Sequence, residues 1–210
     1  MPAPPTTYRT LAAPVSAEFK DKGSRFIAYA YPVRTAEEAK AHVEAQRQTH
    51  HKARHWCYAY RIGTDGNQFR ANDDGEPGGS AGRPILGQID SFELTDVLVI
   101  VVRYFGGIKL GAGGLVRAYT DTVATALQQA ERVPIIRQVV LGCRVGYELE
   151  GVLRRELAAR EGVLLDVAHA ADVSVQLQLP EPQVEAFRTW LDDAGHGRVQ
   201  WFEPEKADEA

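Results

Sequence analysis

Hydrophobic and polar positions alternate from Ser24 to Val33, with Phe26, Ala28 and Ala30 set against Ile27, Tyr29 and Tyr31. Such a period of two predicts a strand, paired with Val15 to Lys22 through a turn at Lys22-Gly23. Thr35 and Glu38 have capping-box spacing, so a helix is expected from there to about His50, weakly apolar along Ala39, Val43 and Gln46. The segment from His50 to Gly63 predicts a second strand, with Trp56, Tyr58, Tyr60 and Ile62 on one face and Cys57, Ala59 and Arg61 on the other. Asp65-Gly66 is a hairpin signal, with Asn67 to Ala71 as the return strand. A short helix is expected from Ser80 or Gly82 to Gln88, with Pro84 tolerated in its first turn.

Val97 to Val102 has no alternation, which predicts a strand buried on both faces. A helix follows from about Gly113 to Glu131, with Val116, Tyr119, Val123, Ala126, Leu127 and Ala130 as its inward stripe. The remaining segments read as strand 138–147, helix 148–161, strands 163–167 and 173–179, helix 182–194 and strand 198–202. In the first of these helices Leu149, Val152, Leu153 and Leu157 share a side; in the second Val184, Phe187 and Leu191 point inward. That order is βαββαβ, the ferredoxin-like arrangement.

The fold class is therefore α+β in two domains, at 15–135 and 136–204. Residues 1–14 hold four of the 11 prolines and are expected to form a flexible arm, and 205–210 a disordered tail. The longest apolar run has six residues, too few to cross a bilayer, and the first 20 residues contain no continuous apolar stretch of the secretory kind. A cytoplasmic protein without membrane contact is expected. Cys57 and Cys143 fall in strand patterns and read as small buried hydrophobes.

Charge adds an asymmetry. Residues 1–135 carry 16 basic and 14 acidic side chains; residues 136–210 carry 8 and 14, within a total of −4. This excludes a strongly basic nucleic-acid binder, although a local patch stays open.

Ten of the 19 glycines lie between Asn72 and Arg117. Glycine permits tight turns and close backbone approach to a ligand, so this stretch is the candidate site. It holds two turns that open helices. Gly78, Gly79 and Ser80 precede Arg83; Lys109, Gly111, Gly113 and Gly114 precede Arg117, and Arg103 ends the buried strand. Amides at a helix start, flanked by these cations, could cradle phosphate or nucleic-acid backbone. Tight turns and close helix–sheet packing explain the same glycines. His51, His55, Asp73, Asp74 and Glu76 could hold a divalent metal, or could be polar residues capping turns. The aromatic face of the second strand could stack bases, or could be core.

The segments SRFIAYAYPV, HHKARHWCYAYRIG, NDDGEPGGSAGRPIL and VVRYFGGIKLGAGGLVRAY resemble the signature of the YigZ/IMPACT family, in its bacterial two-domain form. The resemblance covers about Phe19 to Glu131, and residues 136–210 resemble the second domain of the bacterial members. It implies a first domain like domain 2 of ribosomal protein S5, a fold shared with elongation factor G and small-molecule kinases, and a second domain like an elongation factor G module. Eukaryotic members are translation regulators. The resemblance implies a translation-linked regulatory or binding protein, with RNA, the ribosome or a translation-associated protein as partner. Two alternatives stand beside it: a metal-dependent enzyme acting on a phosphorylated small molecule or nucleotide, and a protein-interaction regulator without an anion site.

Overall fold

The structure is a computed structural model that describes residues 7–64 and 68–203. The Asp65-Gly66 turn, the first six residues of the expected arm and the expected tail at 205–210 lie outside the described residues. The chain forms two compact units, Met1–Ile135 and Ile136–Ala210.

In the first unit, β2 (Val15–Asp21), β3 (Ser24–Pro32), β4 (His55–Ile62), β5 (Gln68–Asn72) and β6 (Val97–Tyr104) make a sheet of order β2-β3-β6-β4-β5. All its pairings are antiparallel. The central strand β6 has no polar face because both faces are covered. Val97, Val99 and Val101 pack with Phe26, Ala28, Cys57 and Ala59 against α2 (Gly82–Ser91) and α3 (Gly111–Gln129). Leu98, Ile100 and Val102 pack on the other face with Ala39 and Val43 of α1 (Ala36–Thr49). Residues 97 to 102 are all 0 % exposed. Burial at that level contributes about 1.5–3 kcal/mol per large aliphatic side chain.

The Thr35 half of the capping box forms, with Thr35 Oγ1 accepting from the Glu38 amide at 3.1 Å, while the Glu38 carboxylate reaches one residue past the cap and accepts from the Arg34 amide at 2.8 Å. The aromatic residues of β4 fall between the two expected states. Trp56, Tyr58 and Tyr60 lie under the α1 side of the sheet but are only half-buried, whereas Cys57 and Ala59 on the opposite face are fully buried.

Two expectations for this unit need correction. Residues 7–11 are not a loose arm. They form β1 (Thr7–Leu11), paired with β7 (Arg132–Ile136) in a two-stranded sheet. Leu11 joins the core, and the Thr95 amide donates to the Arg9 carbonyl at 2.9 Å. The stripe of α3 is also rotated. Leu115, Ala118 and Thr122 face inward beside Tyr119, Val123, Ala126 and Leu127, while Val116 is 39 % exposed. Thr122 is tolerated there because its hydroxyl donates to the Ala118 carbonyl one turn earlier.

The second unit comprises β8 (Gln138–Val145), α4 (Tyr147–Ala159), β9 (Val163–His169), β10 (Val173–Pro180), α5 (Val184–Ala194) and β11 (Gln200–Phe202). Its sheet order, β11-β8-β10-β9, gives the ferredoxin-like topology. Leu153, Leu157, Phe187 and Leu191 of the helices cover Leu141, Cys143, Val145, Val175 and Leu177 of the sheet. Val152 lies outside that interface and is 37 % exposed. Both cysteines are free and buried.

Candidate functional site

The first glycine turn is filled from within. Asp73, at the exit of β5, folds its carboxylate back onto the start of α2. One oxygen accepts the amides of Ala81 at 3.0 Å and Gly82 at 2.8 Å; the other accepts that of Gly79 at 2.8 Å. Burial works against the Asp73 charge, but the amides of Gly79, Gly82 and Ala81, helped by Arg83, outweigh it and hold the carboxyl below its ordinary range. Ser80 is buried and donates to the Pro77 carbonyl at 2.6 Å. Of the amides expected to cradle phosphate, that of Gly79 thus faces an internal anion and that of Ser80 is bonded to the Pro77 carbonyl at 3.0 Å. Arg83 stays exposed on the first turn of α2. Gly82 has a packing reason of its own, since a Cβ there would sit 2.6 Å from the Asn72 nitrogen.

The other acidic residues are equally engaged. Asp74 accepts the Trp56 amide at 2.8 Å and pairs with Arg47. Glu76 is 8 % exposed and takes Arg103 Nη1 at 2.6 Å and the Tyr119 hydroxyl at 2.9 Å. His55 turns Nδ1 to the Asp74 carbonyl at 2.9 Å and sets Nε2 4.0 Å from Glu76, while His51 remains exposed. The metal expectation for His51, His55, Asp73, Asp74 and Glu76 is therefore corrected. The carboxylates are spent on amides, arginines and a phenol, and no group of three or more His, Cys, Asp or Glu among the described residues is placed to hold a metal ion.

Arg103 also changes role. It is 5 % exposed, lies over the ring of Phe26 at 5.3 Å and near that of Phe105 at 5.7 Å, and its charge is matched by Glu76. Its Nη2 stands 3.5 Å from Ser24 Oγ, and its Nε has no partner among the described residues. Arg103 is thus a buried counter-ion rather than a surface phosphate ligand. The network runs on to Cys57, whose Sγ lies 3.2 Å from the Tyr119 hydroxyl and donates to the Asp73 carbonyl at 2.9 Å. Burial pushes both the Cys57 thiol and the Tyr119 phenol up, keeping them neutral. Together these groups fasten the Asp73–Ser80 segment to β4, β6 and α3.

The second turn is open. The residue before α3 is Leu110, which offers no side-chain cap, and Gly111, Ala112 and Gly113 are exposed. A Cβ at Gly113 would meet nothing within 4 Å, so neither packing nor a positive φ demands glycine there. Lys109 is exposed beside this end, and Arg117, 84 % exposed, makes among the described residues only a surface pair with Asp121 at 3.4 Å. Gly114 is partly covered, its Cβ position lying 3.2 Å from Leu110 Cβ. Two apolar side chains missed as surface features, Phe105 and Ile108, stand 45 % and 56 % exposed in the same loop. Their signal was two large hydrophobes on either side of Gly106-Gly107 rather than within a periodic element. The loop is pinned at one point, Gly106, where a Cβ would overlap the Gly23 backbone at 1.9 Å.

Comparison with known proteins matches residues 22–127 to the Impact N-terminal domain and residues 143–198 to a domain of unknown function (DUF1949). An IMPACT family member in the pol 5'region of Thermus thermophilus is 47% identical over 190 residues, 86% of this chain and 97% of that protein. The IMPACT family member YigZ of Escherichia coli (strain K12) is 37% identical over 193 residues, 90% and 94% of the two chains. Among solved structures, the crystal structure of a hypothetical protein superposes with a TM-score of 0.76 at 34% identity, covering 96% of this chain and 99% of that one.

Proposed function

We propose, because this chain belongs to the IMPACT family, that it is a translation-linked binding protein which contacts RNA or ribosome phosphates through the turn opening α3. The observation that carries this reading is the uncapped, exposed start of α3 at Gly111–Gly113, beside Lys109 and Arg117. Unpaired amides and the positive end of a 19-residue helix favour an anion, and open space at Gly113 lets a phosphate come close to the backbone. The first turn contributes nothing to this reading except Arg83, since Asp73 already fills it.

Co-sedimentation with ribosomes across a salt series tests the proposal. Lys109→Ala with Arg117→Ala should weaken binding and flatten its salt dependence by about 0.7–0.9 in slope for each phosphate no longer neutralised. Binding that is unchanged by the double variant defeats it. A second reading, a protein-interaction regulator without an anion site, is favoured by Phe105 and Ile108. A pull-down that survives high salt and nuclease, but fails with Ile108→Asp, would select it. Among the described residues no helix is long and apolar enough to cross a membrane.

A further inference from the structure

The aromatic face of the five-stranded sheet divides into tied and untied residues. Tyr29 and Tyr104 both hold His50 at 2.8 Å, Tyr31 accepts from Gln46 at 2.8 Å, and Trp56 donates to the Gln46 carbonyl at 3.2 Å beneath the Arg47 guanidinium. Tyr58 and Tyr60 are the exceptions. Their hydroxyls have no hydrogen-bond partner among the described residues, and both rings line a groove of about 430 Å³ between the start of α1 and the β4–β5 hairpin. Lys40 and Arg70 line the same groove, and neither has a carboxylate within ion-pair distance among the described residues; Glu37 is the one acid on its wall. Arg70 sits directly across from Tyr60 in the strand register.

We propose that this groove binds single-stranded RNA, stacking bases on Tyr58 and Tyr60 while Lys40 and Arg70 hold the flanking phosphates. Two rings at alternate positions of one strand lie about 7 Å apart on the same face. That spacing offers each ring to one base, and single strands, unlike duplexes, have base faces free to stack. Both rings pack in part against the core of this face, but their hydroxyls, unlike those of the neighbouring tyrosines, are left without a protein partner among the described residues. An apolar partner would bury two cations, Lys40 and Arg70, against the single carboxylate of Glu37. The choice of RNA over DNA rests on the translation-linked reading above. The groove itself is separate from the α3 turn and is tested with different residues.

The experiment is fluorescence anisotropy of a labelled single-stranded RNA oligonucleotide, with urea unfolding of each variant to establish that it is folded. Tyr58→Ala with Tyr60→Ala should raise Kd about ten-fold or more. Tyr58→Phe with Tyr60→Phe should keep most of the affinity, because the stacking faces remain. Lys40→Ala with Arg70→Ala should lower the salt slope by about 0.7 for each phosphate released. If the alanine pair does not fold, a Tyr60→Trp variant takes its place, and RNA should quench its added emission. The proposal is overturned if the wild type does not bind RNA at low salt, if the alanine pair binds as the wild type does, or if the added indole emission of Tyr60→Trp ignores RNA. Equal binding of a mononucleotide, of a duplex or of DNA of the same sequence also overturns it. Lys109→Ala with Arg117→Ala should leave this short-oligonucleotide affinity nearly unchanged, so the two readings can fail separately.

Discussion

The turn before α2 and the turn before α3 are built from nearly the same residues, yet one is closed and the other open. In the first, three helix-start amides converge on the Asp73 carboxylate, and Glu76 in the same segment neutralises Arg103. In the second, no side chain among the described residues caps the start of α3, and the exposed cations Lys109 and Arg117 flank it in sequence. The difference teaches that glycine density marks where backbone amides are presented, and that the neighbouring acids decide to whom. A turn that carries its own anion is a structural fastening; one that lacks it keeps its amides for something else.

The closed side can be broken most severely at its ion pair. Arg103→Ala leaves Glu76 buried with only Tyr119 as donor and should destabilise the first unit by about 3–5 kcal/mol in urea unfolding. Removing both charges with Arg103→Met and Glu76→Leu should cost much less, and equal losses would show that packing rather than charge is at work. Asp73→Ala comes next, at about 2 kcal/mol, because it frees three amides at once. If the comparison holds, sulfate should restore more stability to Asp73→Ala than it adds to the wild type.

Acid titration sharpens the same point. The native carboxyl of Asp73 lies below its ordinary value of 3.8. The unfolded chain therefore binds more protons in that window, so this part of the stability is complete above about pH 4 and is lost as pH falls through the native value. Asp73→Asn should flatten stability against pH below that point. The smallest effect is expected on the open side. Gly113→Ala has room and an ordinary φ, so it should stabilise α3 by up to about 1 kcal/mol while weakening ribosome binding. Loss of stability there would mean the second turn is constrained after all.

Much of the fold was legible in the sequence. The run Val97 to Val102 announced a strand covered on both sides, and the Thr35/Glu38 pair fixed where α1 begins. The β1–β7 pair was not legible, because TYRTL follows a proline-rich stretch and its partner contains Pro134, which lacks an amide to advertise a ladder. The α3 stripe slipped because Leu115 and Val116 fit a helical period equally well, and only tertiary packing chooses between them. At the site, sequence located the two turns but could not distinguish them. Asp73 caps a helix from nine residues upstream of Gly82, and Glu76 finds Arg103 across 27 residues; no local spacing rule reports such contacts. The untied state of Tyr58 and Tyr60 was hidden for the same reason, since alternation shows which residues share a face but not which hydroxyls go unanswered.

The pairing of β1 with β7 has a mechanical consequence. It places the entrance and the exit of the first unit side by side, so that everything between them hangs as one closed loop of chain. A pull transmitted along the polypeptide is shared between that short clasp and the bonds from Arg9 and Thr10 to Thr95 and Asp96, which lead directly into the central strand β6.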